Sequence, residues 1–251
     1  MISIKNLEKL SRQYQSAIFP NIAREYAQHI FLSELYKLPD SEKLLFKGGT
    51  ALRIVYGSPR FSEDLDFSFF ILLKKEANKV IENLFIKTLV EMERFGIKVK
   101  IGEKSGATSG GYFGIAIFKM FDFPLINIEI NVSVRNAKKI VGEVDAIAND
   151  FVPFYNLVHL PQAELVDEKI FGALATRKKP RDFYDLYFIM RKGMLSLNQK
   201  NNLAKIKKEI VAWAKEINFR GELGAFLPVG QQGIVRDFAN VFEAELNRQI
   251  L

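Results

Sequence analysis

The chain has 251 residues, 48% of them hydrophobic and 26% charged, with a net charge of +7 and an isoelectric point near 9.4. This is an ordinary soluble globular composition, long enough for one large domain or two small ones, and its basic balance suits a nucleic acid or polyphosphate ligand. The lack of cysteine excludes disulfides, thiol catalysis and cysteine-ligated metals and favours a reducing, cytoplasmic setting, while the first twenty residues lack the apolar run of a signal peptide and no stretch is long enough to span a bilayer.

Residues 4–17 and 20–37 read as helices. Ser3 is placed to cap the first, Pro20 opens the second, and Ile22, Tyr26 and Ile30 recur as an inner stripe. "KLLFK" (43–47) reads as a short buried strand, "GGTALRIVYG" as a turn running into a short helix, and "DLDFSFF" (64–70) as a second strand. Residues 74–95 read as a helix. "GIKVKI" (96–101) and "YFGIAIFKM" (112–120) form a hairpin whose Gly- and Ser-rich tip, "GEKSGATSGG" (102–111), is expected to be mobile and is a candidate acceptor contact through Lys104. "PLINIEINVSV" (124–134) alternates cleanly, with Ile126, Ile128 and Ile130 on one face and Asn127, Glu129 and Asn131 on the other. From about residue 150 the apolar period becomes helical: 162–178, 181–192, 198–218 and 231–250, with "FRGELGAFLPVGQQG" (219–233) as a break. The expected organisation is α+β, a mixed-sheet domain over 1–155 with N-terminal helices and a helical bundle over 156–251.

The unusual feature is a pair of acids inside the second strand. Side chains at i and i+2 share a strand face, so Asp64 and Asp66 point one way while Leu65 and Phe67 point into the core. Adjacent carboxylates repel, and a hard divalent cation with its preference for oxygen donors relieves that repulsion. Glu129 lies on the polar face of another strand. If the two strands pair, three carboxylates meet on one sheet face, as a two-metal phosphoryl-transfer site requires. Upstream, a strand leading through Gly48, Gly49 and Thr50 into a helix presents backbone N–H groups to a phosphate, with Arg53 one turn on.

The combination of strand, Gly-Gly-Thr, short helix and Asp-x-Asp resembles the signature of the DNA polymerase β-like nucleotidyltransferase superfamily. The fuller wording, "KGGTAL…YGSPRFSEDLDFSF", is similar to the AbiEii/AbiGii-type toxin nucleotidyltransferases of abortive-infection and type IV toxin–antitoxin systems. That family's downstream motif matches "EKIFGALATRKKPRDFYDLYFIM", placing Lys169, Arg177, Arg181, Asp182 and Asp185 on its positions, with Glu129 as the third acid. The resemblance runs from about residue 40 to 190.

The resemblance implies a nucleotidyltransferase fold and transfer of a nucleotidyl group from an NTP to an acceptor hydroxyl. Asp64, Asp66 and Glu129 would hold two Mg²⁺ ions, Gly48, Gly49 and Thr50 the β- and γ-phosphates. Lys169 and Arg177 would neutralise charge on the pyrophosphate, with Asp182 or Asp185 orienting them or meeting the nucleotide. The implied acceptor is RNA, in particular a tRNA 3′ end, and the implied protein partner an antitoxin. A protein or small-molecule acceptor, or a nucleotide-binding protein without catalysis, are the alternatives. His29 and His159 lack metal-ligand spacing, Asp122 precedes a proline as a turn residue, Trp213 reads as core, and 207–215 as a solvated basic face.

Overall fold

The computed structural model describes residues 2–70, 74–135 and 140–250. The last three residues of the apolar run 67–73 therefore lie outside the described residues. No helix among the described residues is long and apolar enough to cross a membrane. The chain divides into two compact units: residues up to Gly57 together with Phe61–Leu160, and Ser58–Arg60 together with Pro161 onward.

In the first unit, α1 (Ile4–Gln13) starts where the Ser3 hydroxyl accepts from the Asn6 N–H, and it buries Leu7 and Leu10. A kinked segment, Ile18–Ile22, in which Phe19 is extended, leads into α2 (Ala23–Leu35). The sequence predicts a one-sided stripe there, but every residue from Glu25 to Leu35 is buried. The reason is that α2 packs on a further helix, α4 (Lys74–Arg94), and also on the sheet. The sheet comprises β1 (Leu44–Lys47), β2 (Leu65–Phe70), β3 (Lys98–Ile101), β4 (Gly106–Thr108), β5 (Gly111–Lys119), β6 (Ile126–Arg135), β7 (Glu143–Ile147) and β8 (Tyr155–His159). Its order is β3-β5-β6-β2-β1-β8-β7, with β4 also on β5. The β2–β6 and β1–β8 pairs are parallel and the others antiparallel. β1 is buried along its whole length between β2 and β8. Phe31, Phe46, Phe67, Phe85 and Tyr112 form the aromatic centre of the core, with ring centroids 5.5–6.2 Å apart.

Two sequence expectations change here. The segment 102–111, predicted as a mobile tip, carries β4, which pairs Gly106 with Phe113 and Thr108 with Gly111. The Ser105 hydroxyl accepts from the Ile115 N–H at 3.0 Å. Backbone pairing, which does not depend on side-chain size, makes a strand within a segment that has no apolar period. The strands β7 and β8 were not predicted at all. β7 is an edge strand whose Glu143, Val144, Asp145 and Ala146 are all exposed, so it carries no alternation to read.

In the second unit, α5 (Gln162–Asp167), a π-helical stretch Glu168–Leu174 and α6 (Ala175–Arg177) follow one another without a break. α7 (Pro180–Arg191) starts with proline at its first position. Next come α8 (Leu197–Lys205), capped by Ser196 and Gln199, and α9 (Lys207–Glu216), so the predicted helix 198–218 is interrupted at Ile206. The predicted break 219–233 contains α10 (Arg220–Phe226) and the start of a 3₁₀ segment, Val229–Arg236, before α11 (Phe238–Gln249). Phe183, Phe219, Phe238 and Phe242 meet at the centre, the closest rings being 4.7 Å apart. Trp213, predicted as core, is only half-buried, with the Lys178 ammonium 3.9 Å from its ring centroid.

Candidate active site

The geometry around the glycines follows from one ladder. β1 and β2 run antiparallel with Lys47 opposite Asp66, and the chain leaves β1 through Gly48 at φ +83° into α3 (Gly48–Ile54). A Cβ on Gly48 would lie 2.2 Å from Asp66 Oδ2, so only glycine lets the turn lie against this carboxylate. Gly49 and Thr50 form the buried first turn of α3, which has no side-chain cap. The Thr50 hydroxyl donates to the backbone carbonyl of Asp64. That bond pins the helix start to the acid-bearing strand.

β2 and β6 run parallel, with Leu65 beside Ile130 and Asp66 beside Asn131. Leu65, Phe67, Ile130 and Val132 are buried. Asp66 and Asn131 therefore share the opposite face, with Glu129 two residues before Asn131 on that face of β6; Asp64, expected inside the strand, stands one residue before β2 begins. Asp64 and Asp66 are half-buried and Glu129 is exposed. Their oxygen-only chemistry suits a hard divalent ion. Among the described residues, however, no three His, Asp or Glu side chains are gathered so as to hold a metal ion. The fit is one of residue type.

Arg53 is placed differently from the phosphate contact the sequence suggested. Its Nε and Nη2 donate to the two Glu25 carboxylate oxygens at 2.8 and 2.9 Å, and its guanidinium lies 3.9 Å from the centre of the Phe61 ring. Burial pushes the Glu25 carboxyl up while Arg53 draws it back. This pair ties α3 to α2.

In the second unit the downstream residues assemble into two ion-paired groups. Asp182 accepts from the Lys179 backbone N–H at 3.1 Å and from Arg177 Nη2 at 2.5 Å, so it caps α7 and holds Arg177. Asp185, one turn on, accepts from Lys169 Nζ at 2.8 Å and from Arg60 Nε at 2.9 Å, with Arg60 Nη2 at 2.8 Å from Oδ1 and 3.0 Å from Oδ2. Burial alone would raise the Asp185 carboxyl, but Arg60 and Lys169 outweigh it and hold the group below its usual value. Arg181 lies 3.5 Å from Glu222. Arg60 escaped the sequence reading. It stands inside the quoted "YGSPRFSEDLDF", but no spacing connects it with an aspartate 125 residues away.

The two histidines are absorbed in the first unit. His29 Nδ1 shares a 2.9 Å hydrogen bond with the Tyr155 hydroxyl, and His159 Nε2 lies 2.9 Å from Asp145.

A family model described as the nucleotidyl transferase AbiEii toxin of type IV toxin–antitoxin systems matches residues 30–249. The chain belongs to this family. Membership in the AbiEii family makes it a nucleotidyltransferase with an NTP as substrate. The structure of JHP933 from Helicobacter pylori is similar to it with a TM-score of 0.60 and 20% identity, over 92% of this chain and 95% of that one. A second H. pylori structure, provisionally described as a nucleotidyltransferase, has the same score and identity over 92% and 97%. These likenesses extend the shared fold over nearly the whole AbiEii chain. No curated protein sequence matches it.

Proposed function

We propose that this AbiEii protein transfers a nucleotidyl group from an NTP to a terminal hydroxyl of RNA, with a tRNA 3′ end as the acceptor. The observation that supports the reading is that the Gly48 turn lies against the Asp66 carboxylate on β2, which pairs in parallel with β6, the strand carrying Glu129.

In this reading Asp64, Asp66 and Glu129 would hold Mg²⁺, which would supply Lewis-acid activation of the phosphate and charge neutralisation. Glu129, the exposed acid, accepts the proton of the acceptor hydroxyl. The hydroxyl oxygen forms the new bond to the α-phosphorus as the bond to pyrophosphate breaks. The N–H groups of Gly49 and Thr50 hold phosphate oxygens, since the first turn of a helix leaves such donors without intrahelical partners. Lys169 and Arg177 offset the triphosphate's charge, in a reaction that depends chiefly on positioning and electrostatics. The net charge of +7 favours an RNA acceptor, and the family's toxin–antitoxin setting supports a cognate antitoxin as partner.

The test is incubation with each labelled NTP, Mg²⁺ and total cellular RNA. Label in RNA that is lost on chelation supports the reading. Label only in protein, or only in a small molecule, replaces the acceptor class. NTP binding without any transfer overturns the catalytic reading.

A further inference from the structure

The buried Arg60–Asp185–Lys169 group has more structure than an ion pair needs. A single carboxylate serves two cations. The guanidinium grips it with both Nε and Nη2, while Lys169 makes one bond to Oδ2. The side chains are graded in exposure: 1% for Asp185, 3% for Arg60 and 10% for Lys169. Of the three, Lys169 is the most exposed, and Arg60 reaches it only through the shared carboxylate. Lys169 also sits in the π-helical stretch Glu168–Leu174, where the widened turn displaces side chains from ordinary helical positions.

We infer that Arg60 is a positioning residue which, by sharing the Asp185 carboxylate, keeps Lys169 fixed in place yet still net cationic toward a polyphosphate. The inference rests on the nucleotide-handling role proposed above for Lys169. A planar guanidinium matched to a carboxylate takes most of its hydrogen-bonding capacity and offsets its charge. The formal charges of the three groups sum to +1. Without Arg60, Asp185 and Lys169 would form a neutral, closed pair, and the ammonium would attract phosphate less. Arg60 thus acts through Asp185 and needs no contact with the nucleotide.

The experiment compares the wild-type chain with Arg60→Met, Arg60→Met/Asp185→Asn and Lys169→Ala. Each is titrated calorimetrically with the four NTPs and with inorganic tripolyphosphate, and each is checked for folding by circular dichroism. Arg60→Met is expected to weaken both ligands by about tenfold, the order of one charge acting over several ångströms in a partly screened site. The double variant restores the sum of +1 and is expected to recover affinity to within about threefold of wild type. A purely structural role for Arg60 predicts the opposite order, with the double variant the weaker binder. That order, or wild-type affinity in Arg60→Met while Lys169→Ala is impaired, overturns the inference. If Arg60→Met does not fold, the double variant decides: near-wild-type affinity supports charge sharing and a large loss overturns it. Wild-type affinity in Lys169→Ala removes that lysine from nucleotide binding, so failure of the underlying reading is told apart from failure of the role of Arg60.

Discussion

Gly48 and Asp66 meet so closely at the end of the β1–β2 ladder that a single added methyl group on the glycine would overlap the aspartate carboxylate. The turn that starts α3 and the acid that defines β2 are therefore one packing unit. Gly48→Ala combines an unfavourable positive φ with this clash, so we expect a loss of about 2–4 kcal/mol of stability and of transfer activity. Gly57 has a similar φ of +77° but open space around its Cα. Gly57→Ala should cost only about 1–2 kcal/mol and leave activity unchanged. Denaturant melts and labelled-NTP transfer on both variants check the contrast. Equal losses would show that backbone strain, not contact with Asp66, sets the requirement for glycine.

Asp64→Asn and Asp66→Asn each remove a carboxylate charge and keep its shape. Both should fold and lose nucleotidyl transfer, by about a hundredfold or more, as expected when charge stabilisation at the reacting centre is removed. Removing one of two neighbouring like charges should leave the melting temperature without divalent metal unchanged or raised. Transfer at the wild-type rate by both variants would end the assignment of these acids.

Asp185 is expected to matter for stability as well as for ligand binding. Asp185→Asn leaves Arg60 and Lys169 buried without their carboxylate, a change of about 3–5 kcal/mol. The pH dependence has a defined sign. The folded carboxyl lies below its ordinary 3.8, so its contribution is complete above that value and is lost as pH falls through the lower folded value. Urea melts from pH 3 to 7 should show this acid-side loss in the wild type and a weaker one in Asp185→Asn. Identical acid limbs would remove Asp185 as a source of the pH dependence.

His29 titrates in a different window. Burial, and then the Arg53 charge, push it down to about 3 from 6.5, with Asp150 opposing. An unfolded chain therefore binds a proton that the folded one refuses between those values. Stability should fall as pH drops below 6.5, by about 1.4 kcal/mol per pH unit from this group. His29→Gln should flatten that slope between pH 6 and 4. Chemical denaturation across the range measures it, and an unchanged slope in the variant would place the proton uptake elsewhere.

The acids and the glycines were legible because their signals are local. Alternation around Asp64 and Asp66 fixes which face they occupy, and Gly-Gly-Thr after a short apolar strand marks a turn into a helix. The helix over 74–94 and most of the helices after residue 160 were readable from apolar period alone. The same rule failed for β7, whose exposed edge has no apolar face, and for β4, which is held by backbone pairing among small residues.

The sequence by itself determined the family wording, the α+β class, and the residue types that face outward on each strand. Tertiary structure decided which strands are neighbours. Only the parallel β2–β6 pairing makes the strand of Asp66 the neighbour of the strand of Glu129, because strand order is set by long-range hydrogen bonding and burial that no local period records. It also decided the partners of the charged groups. Arg53 closes on Glu25, Arg177 on Asp182, and Arg60 with Lys169 on Asp185. A charge taken from water needs a counter-charge within a few ångströms, and which one it finds depends on how the chain folds back on itself.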